Sequence, residues 1–173
     1  MCLIAMKGYA GTGKSALSRA LSRELGWPLI DKDDVKDLLD GQSSVAGSLA
    51  YDIMFHIARC QLLQGLSVIC DSPLTGIVAY EHARTIVKEA HASLGVIECQ
   101  CSDTLLWEQR INSRKILHLP AHHQTDWNAF QRFLKQPHIQ ASYSIAHPHI
   151  IVDTVQPLHE CLKTVLVWLE QLM

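Results

Sequence analysis

The chain has no apolar run approaching the roughly 20 residues that a membrane helix requires, and its opening, MCLIAMKGYAG, turns to glycine too early for a signal peptide. A membrane span is therefore not expected, and the chain reads as cytoplasmic. It also lacks an excess of positive charge. Fifteen basic residues against seventeen acidic ones leave a formal charge of -2, so no broad field is present to hold a polyanion, and extended nucleic-acid binding is disfavoured. No internal repeat or low-complexity tract interrupts the 173 residues, which suit one domain. Six cysteines are present, but an apolar share of 48% builds a core without disulfides, and buried free thiols are expected. Cys99 and Cys101 fall on one face of a strand, yet no second pair stands at zinc-finger spacing.

What is present is an alternation of short apolar runs with longer helical patterns, the signature of a parallel sheet covered by crossover helices. Strands are expected at Cys2–Met6, Pro28–Ile30, Leu66–Cys70, Val96–Cys101 and His149–Val152. Between them, Leu17, Leu21 and Leu25 mark one helical face, and Gly26 and Pro28 stop that helix. Val35, Leu38 and Leu39 are expected on the buried side of a short helix, followed by a loop over 41–48. Leu49, Ile53, Ile57 and Cys60 are read as the stripe of a longer helix ending before Gly65. The 77–93 segment is read as a helix ended by Gly95, and a further helix runs from about Asp103 to Arg114. The pattern fails over 115–126, where Pro120 and three histidines place a lid, spanning roughly 110–135 with a short helix at Trp127–Leu134. Leu158, Leu162, Val165, Leu169 and Leu172 stripe a closing helix.

Gly8-Tyr-Ala-Gly-Thr-Gly-Lys-Ser15 fits G-x-x-x-x-G-K-[ST] and lies between a short strand and an amphipathic helix, the context that this phosphate loop requires. Successive amides in such a loop surround phosphate oxygens, and the following helix adds its positive end. The expected nucleotide contacts are Gly8, Ala10, Gly11, Thr12, Gly13, Lys14, Ser15 and Ala16, with Lys14 reaching the β- and γ-phosphates and the Ser15 hydroxyl a ligand of Mg²⁺. Asp71 closes the third apolar run. If that strand lies beside the first, its carboxylate reaches Mg²⁺ directly or through water; otherwise it caps the next helix.

On these residues, together with Ile30-Asp-Lys-Asp-Asp-Val-Lys36, Cys70-Asp-Ser-Pro73 and the pair Arg110 and Arg114, the chain resembles the small P-loop kinases grouped with zeta toxin, chloramphenicol phosphotransferase, gluconate kinase and polynucleotide kinase, which carry an AAA-type ATP-binding domain. The similarity spans nearly the whole chain. It implies an α/β three-layer P-loop NTPase fold with a five-stranded parallel sheet in the order 2-3-1-4-5, helices on both faces and a small lid. It also implies a catalytic aspartate after the second strand, which aligns best with Asp33, Asp31 being the rival, and an arginine-bearing lid. A carboxylate there orients and deprotonates an acceptor hydroxyl, whereas either aspartate also serves as a helix cap. Arg110 and Arg114, four apart on one helical face, are expected to clamp the transferring phosphoryl, or else to stabilise a helix C-terminus; Arg132 is a weaker candidate.

Asp52, His56 and Arg59 form a polar stripe that borders the acceptor by resemblance and is a solvated face by pattern. His118, His122 and His123 lack a ligand frame, and Trp107 and Trp127 read as packing anchors. The loop at 153–156 borders adenine by resemblance. ATP is favoured over GTP because N-K-x-D does not occur. The expected activity is ATP- and Mg²⁺-dependent phosphoryl transfer to a small-molecule acceptor by a monomer or homodimer. The alternatives are a nucleotide-dependent switch and a polynucleotide 5′-hydroxyl kinase.

Overall fold

A computed structural model describes residues 1–39, 45–116, 125–136 and 143–172. The chain order is β1 (Cys2–Lys7), α1 (Lys14–Leu25), β2 (Leu29–Asp31), α2 (Lys32–Leu39), α3 (Ala46–Leu63), β3 (Val68–Asp71), α4 (Ile77–Glu89), β4 (Ser93–Gln100), α5 (Thr104–Ile116), α6 (Trp127–Leu134), β5 (His149–Asp153) and α7 (Leu158–Leu172). The five strands are parallel and ordered β2-β3-β1-β4-β5, as the family resemblance implied. The 117–124 stretch, with His118, His122 and His123, and hence the centre of the expected lid, lies outside the described residues.

Alternation along the strands divides the core in two. Leu3 and Ala5 of β1, with Val68 and Cys70 of β3, face Phe55, Leu62 and Tyr80 on α3 and α4. Cys2, Ile4 and Met6 face Leu17, Leu21, Val165 and Leu169 on α1 and α7. Because all strands run one way, their carboxyl ends line a single edge of the sheet, the edge on which open α/β sheets bind ligands. All six cysteines are free, and all but Cys60 are buried, matching the expectation of reduced core thiols. Among the described residues no helix is long and apolar enough to cross a membrane.

Three local expectations are corrected. Gly95 does not end α4 but sits inside β4. A Cβ there would come within 2.8 Å of Leu172 Cδ2 and 3.0 Å of Ile4 Cδ1, so the glycine lets α7 lie close against the sheet. The α4 terminus is instead made by His91 in the left-handed region (φ 52), with Ala92 N–H donating to Val87 O at 2.9 Å and His91 N–H to Lys88 O at 3.3 Å, a Schellman closure. We expect Gly95→Val to cost about 1–3 kcal/mol by overpacking, read as a lowered urea midpoint; an unchanged midpoint would refute the close approach.

The buried face of α3 is Ala50, Met54, Phe55, Ala58 and Leu62, while the expected Leu49 and Ile57 are 37% and 38% exposed. The alanines carry little weight in an apolar stripe, yet their small side chains let α3 approach its neighbours. On α2, Leu38 is 77% exposed and the buried residue is Lys32. Burial of that lysine is tolerated because its ammonium is paired with Asp33, 2.8 Å away, and lies over the Tyr51 ring.

Candidate active site

The loop between β1 and α1 is curled rather than extended. Gly8, Gly11 and Gly13 take φ of 140, 81 and 78, and Gly13 stands at the N-cap of α1 without any side-chain cap. Ala16 and Leu17 N–H donate to Gly13 O, while the amides of Gly11, Gly13, Lys14 and Ser15 find no acceptor among the described residues. A helix start with bare amides and no cap is a prepared anion site. Thr12 Oγ1 donates to Tyr9 O at 2.8 Å, and Gly8 N–H donates to Pro73 O at 3.0 Å, fastening the loop to the chain beyond β3.

β3 neighbours β1 directly, so Asp71 arrives beside the loop as expected. It is fully buried. Lys14 Nζ lies 2.6 Å from its Oδ1, and Ser18 Oγ donates to its Oδ2 at 2.9 Å. The lysine that the loop motif assigns to phosphate thus rests on a buried carboxylate. Asp31 pairs in register with Asp71 across β2 and β3. Burial, and then the neighbouring Asp71 charge, push the Asp31 carboxyl up to about 6.

This raised value has a stability consequence. A carboxyl harder to ionise when folded costs nothing while protonated in both states, so stability is lost as pH rises from about 4 towards 6. Asp31 also accepts from Asp33 N–H at 2.9 Å, capping α2, a task that asparagine performs equally. We expect Asp31→Asn to be more stable than wild type above pH 6 by about 1–2 kcal/mol once solvent screening is allowed for. The gap should close towards pH 4 in urea titrations; a pH-independent difference would exclude the carboxyl as its source.

A narrow cavity of about 50 Å³ is lined by Gly8, Tyr9, Ala10, Gly11, Lys14, Ser15, Asp33, Pro73 and Arg114. Asp33 and Arg114 therefore enter the same space as the loop. The Arg114 guanidinium is largely buried, which lowers its pKa, and the charges of Asp33 and Asp71 oppose that shift. Tyr51, beneath Lys32, accepts from Leu74 N–H at 3.2 Å and so connects α3 to the chain after β3.

Arg110 is elsewhere. It donates to Thr154 Oγ1 at 2.9 Å and to Thr154 O at 2.8 Å, just after β5, and does not line the cavity. The expectation of a two-arginine clamp thus reduces to Arg114: four residues share a helical face but stand one turn, about 5.4 Å, apart, and only the later position reaches the loop. Arg132 is exposed on α6. Asp52, His56 and Arg59 lie on the exposed side of α3 around a shallow depression with Phe55, His82 and Ile86; Arg59 pairs with Glu89 at 2.6 Å. This is the solvated-face arrangement.

Sequence reasoning missed three contributors. Trp107, read as a packing anchor, stacks edge-on to Trp127 and Phe130 but also donates Nε1–H to Ala10 O at 2.7 Å. Thr154 Oγ1 lies 2.8 Å from Thr12 O. Ser18 is one turn past Ser15, and its complete burial and bond to Asp71 were signalled only by that helical spacing.

Magnesium demands hard oxygen ligands and usually keeps waters and phosphate oxygens in its shell. The Ser15 hydroxyl at the cavity, with Asp71 behind it, fits such a shared site, and among the described residues no group of three or more His, Cys, Asp or Glu side chains offers a protein-only cage.

A family model described as an AAA domain (AAA_33) matches residues 3–137. Among solved structures, a candidate kinase from Chloroflexus aurantiacus J-10-fl is 25% identical, covering 95% of this chain and 96% of its own, with a TM-score of 0.77. A gluconokinase from Sinorhizobium meliloti 1021 is 18% identical over 98% of this chain and 91% of its own, TM-score 0.67. The Mycobacterium tuberculosis APS kinase CysC, solved with AMPPNP and APS, is 17% identical over 97% and 96%, TM-score 0.65. The last two show a shared fold. No curated protein matches the chain. The chain belongs to the AAA domain family, and its sheet order and phosphate loop place it among the small P-loop kinases.

Proposed function

We propose that this protein is an ATP- and Mg²⁺-dependent phosphotransferase that moves the γ-phosphoryl group to a hydroxyl of a small-molecule acceptor. The observation that carries this reading is the convergence on one cavity of the loop glycines, Lys14, Ser15, Asp33 and Arg114. A switch has no need of a carboxylate at that place; a transferase does.

The loop amides and the start of α1 take the phosphates, and Lys14 leaves Asp71 to meet the β- and γ-oxygens. Ser15, with Asp71 assisting, would hold Mg²⁺, which would supply positive charge to the phosphates. Asp33, its Oδ1 steadied by Lys32, orients the acceptor hydroxyl and takes its proton as the acceptor oxygen bonds to the γ-phosphorus and the bond to the β–γ bridging oxygen breaks, releasing ADP. Arg114 lies over the group in transit, where positive charge is most valuable. Arg110, bound to Thr154, instead holds the 153–156 loop on the side where adenine is expected.

The test is to incubate the protein with Mg·ATP and a fractionated metabolite extract, then search by mass for species that gain one phosphate. A phosphorylated product is the expected result. ADP release without any such product would replace transfer by a nucleotide-driven switch, and labelling of a 5′-hydroxyl oligonucleotide would move the acceptor to nucleic acid.

A further inference from the structure

The phosphate loop is gripped from its outer side at two carbonyls. Trp107 on α5 donates its indole N–H to Ala10 O at 2.7 Å, 97 residues away in the chain. Thr154, beyond β5, brings its hydroxyl to 2.8 Å from Thr12 O, across 142 residues. Thr154 is itself held by two donors of Arg110, at 2.9 Å to its hydroxyl and 2.8 Å to its carbonyl, and both Thr154 and Thr12 are buried. Trp107 is fixed by the rings of Trp127 and Phe130, with centroids 5.6 and 5.4 Å away.

In a trans peptide the carbonyl and the next N–H point in opposite directions across one plane. Turning Ala10 O outward to the indole therefore turns Gly11 N–H inward, and turning Thr12 O outward to Thr154 turns Gly13 N–H inward. The two glycines sit where the outer side chains press. A Cβ on Gly11 would meet Trp107 Cδ1 at 2.9 Å and Ile111 Cγ1 at 2.7 Å, and one on Gly13 would meet Thr154 Cβ and Oγ1 at 3.1 Å. Amides left to rotate would have to be ordered by the ligand, at a cost in affinity.

We propose that Trp107 and Thr154 are positioning residues for the phosphate loop: by holding the carbonyls of Ala10 and Thr12 from outside, they aim the amides of Gly11 and Gly13 at a polyphosphate. This rests on the reading of the loop as an ATP site. Neither residue needs to touch the nucleotide, so the effect should fall on phosphate recognition alone.

Calorimetric titration with Mg·ATP and with Mg·tripolyphosphate tests this on the full chain. Trp107→Phe and Thr154→Val are each expected to weaken both probes by the same factor, about five- to tenfold, the loss of one hydrogen bond. Thr154→Ser, which returns the hydroxyl, should restore binding. Ile86→Val, in the core on the other face of the sheet and away from the loop and Trp107, should leave both affinities within about twofold while lowering the melting temperature. If Trp107→Phe fails to fold, the Val and Ser variants at 154 decide. Wild-type affinity in Trp107→Phe and Thr154→Val overturns the proposal while the nucleotide reading stands; wild-type protein that binds neither probe overturns the nucleotide reading and the proposal with it.

Discussion

Lys14→Ala is expected to weaken Mg·ATP binding by at least about 100-fold, since a charge contact to phosphate desolvated in a narrow cleft is worth about 2–5 kcal/mol. The same change should destabilise the protein. Asp71 is fully buried, and Lys14 supplies the ammonium 2.6 Å from Oδ1; without it the carboxylate keeps, among the described residues, the Ser18 hydroxyl as its close donor, beside a second acidic group at Asp31. Breaking a buried pair costs about 3–5 kcal/mol, and the lower end applies here because the charges of Arg114 and Asp71 also attract each other. The two losses separate in a double variant. Adding Asp71→Asn removes the orphaned charge and should return most of the stability in urea melts, while ATP affinity measured by calorimetry stays low. Unchanged ATP affinity in Lys14→Ala would end the phosphate-loop reading.

The second large effect concerns chemistry rather than binding. Asp33→Asn should bind Mg·ATP as wild type does and lose phosphoryl transfer by about 10²–10⁴-fold, because the amide still orients a hydroxyl but accepts no proton. Asp31→Asn is its control: that residue caps α2 through Asp33 N–H and does not line the cavity, so transfer should persist. Product formation by mass, with ATP binding measured beside it, separates the two aspartates. The reverse pattern, transfer surviving at position 33 and lost at 31, would exchange their roles.

The parts of this site legible in the sequence are those set by short spacings. The loop motif, the strand before it and the helix after it occupy one continuous stretch, and the aspartates at 31, 33 and 34 offer both a cap and a candidate base. That Asp31 binds an α2 amide while Asp33 lines the cavity is visible only in the folded chain. Side-chain direction was less accessible. Arg110 and Arg114 share a face, yet one turn of helix sends them to different partners. Gly95 carries the usual mark of a helix end, and nothing local reveals that α7 will lie against it. Trp107 and Thr154 reach the loop across 97 and 142 residues, pairings that depend on the sheet having assembled. For α3, apolar residues occur on more than one stripe, so periodicity identified the helix but not the side that enters the core.

The resting contact between Lys14 and Asp71 has a consequence for exchange of nucleotide. Asp71 plays towards Lys14 the electrostatic part that the proposed phosphate would play, so an arriving polyanion would win only the difference between two ionic partners. On the proposed reading, affinity would be moderated by this internal competitor, and the same side chain would keep the ammonium satisfied whenever a polyphosphate leaves.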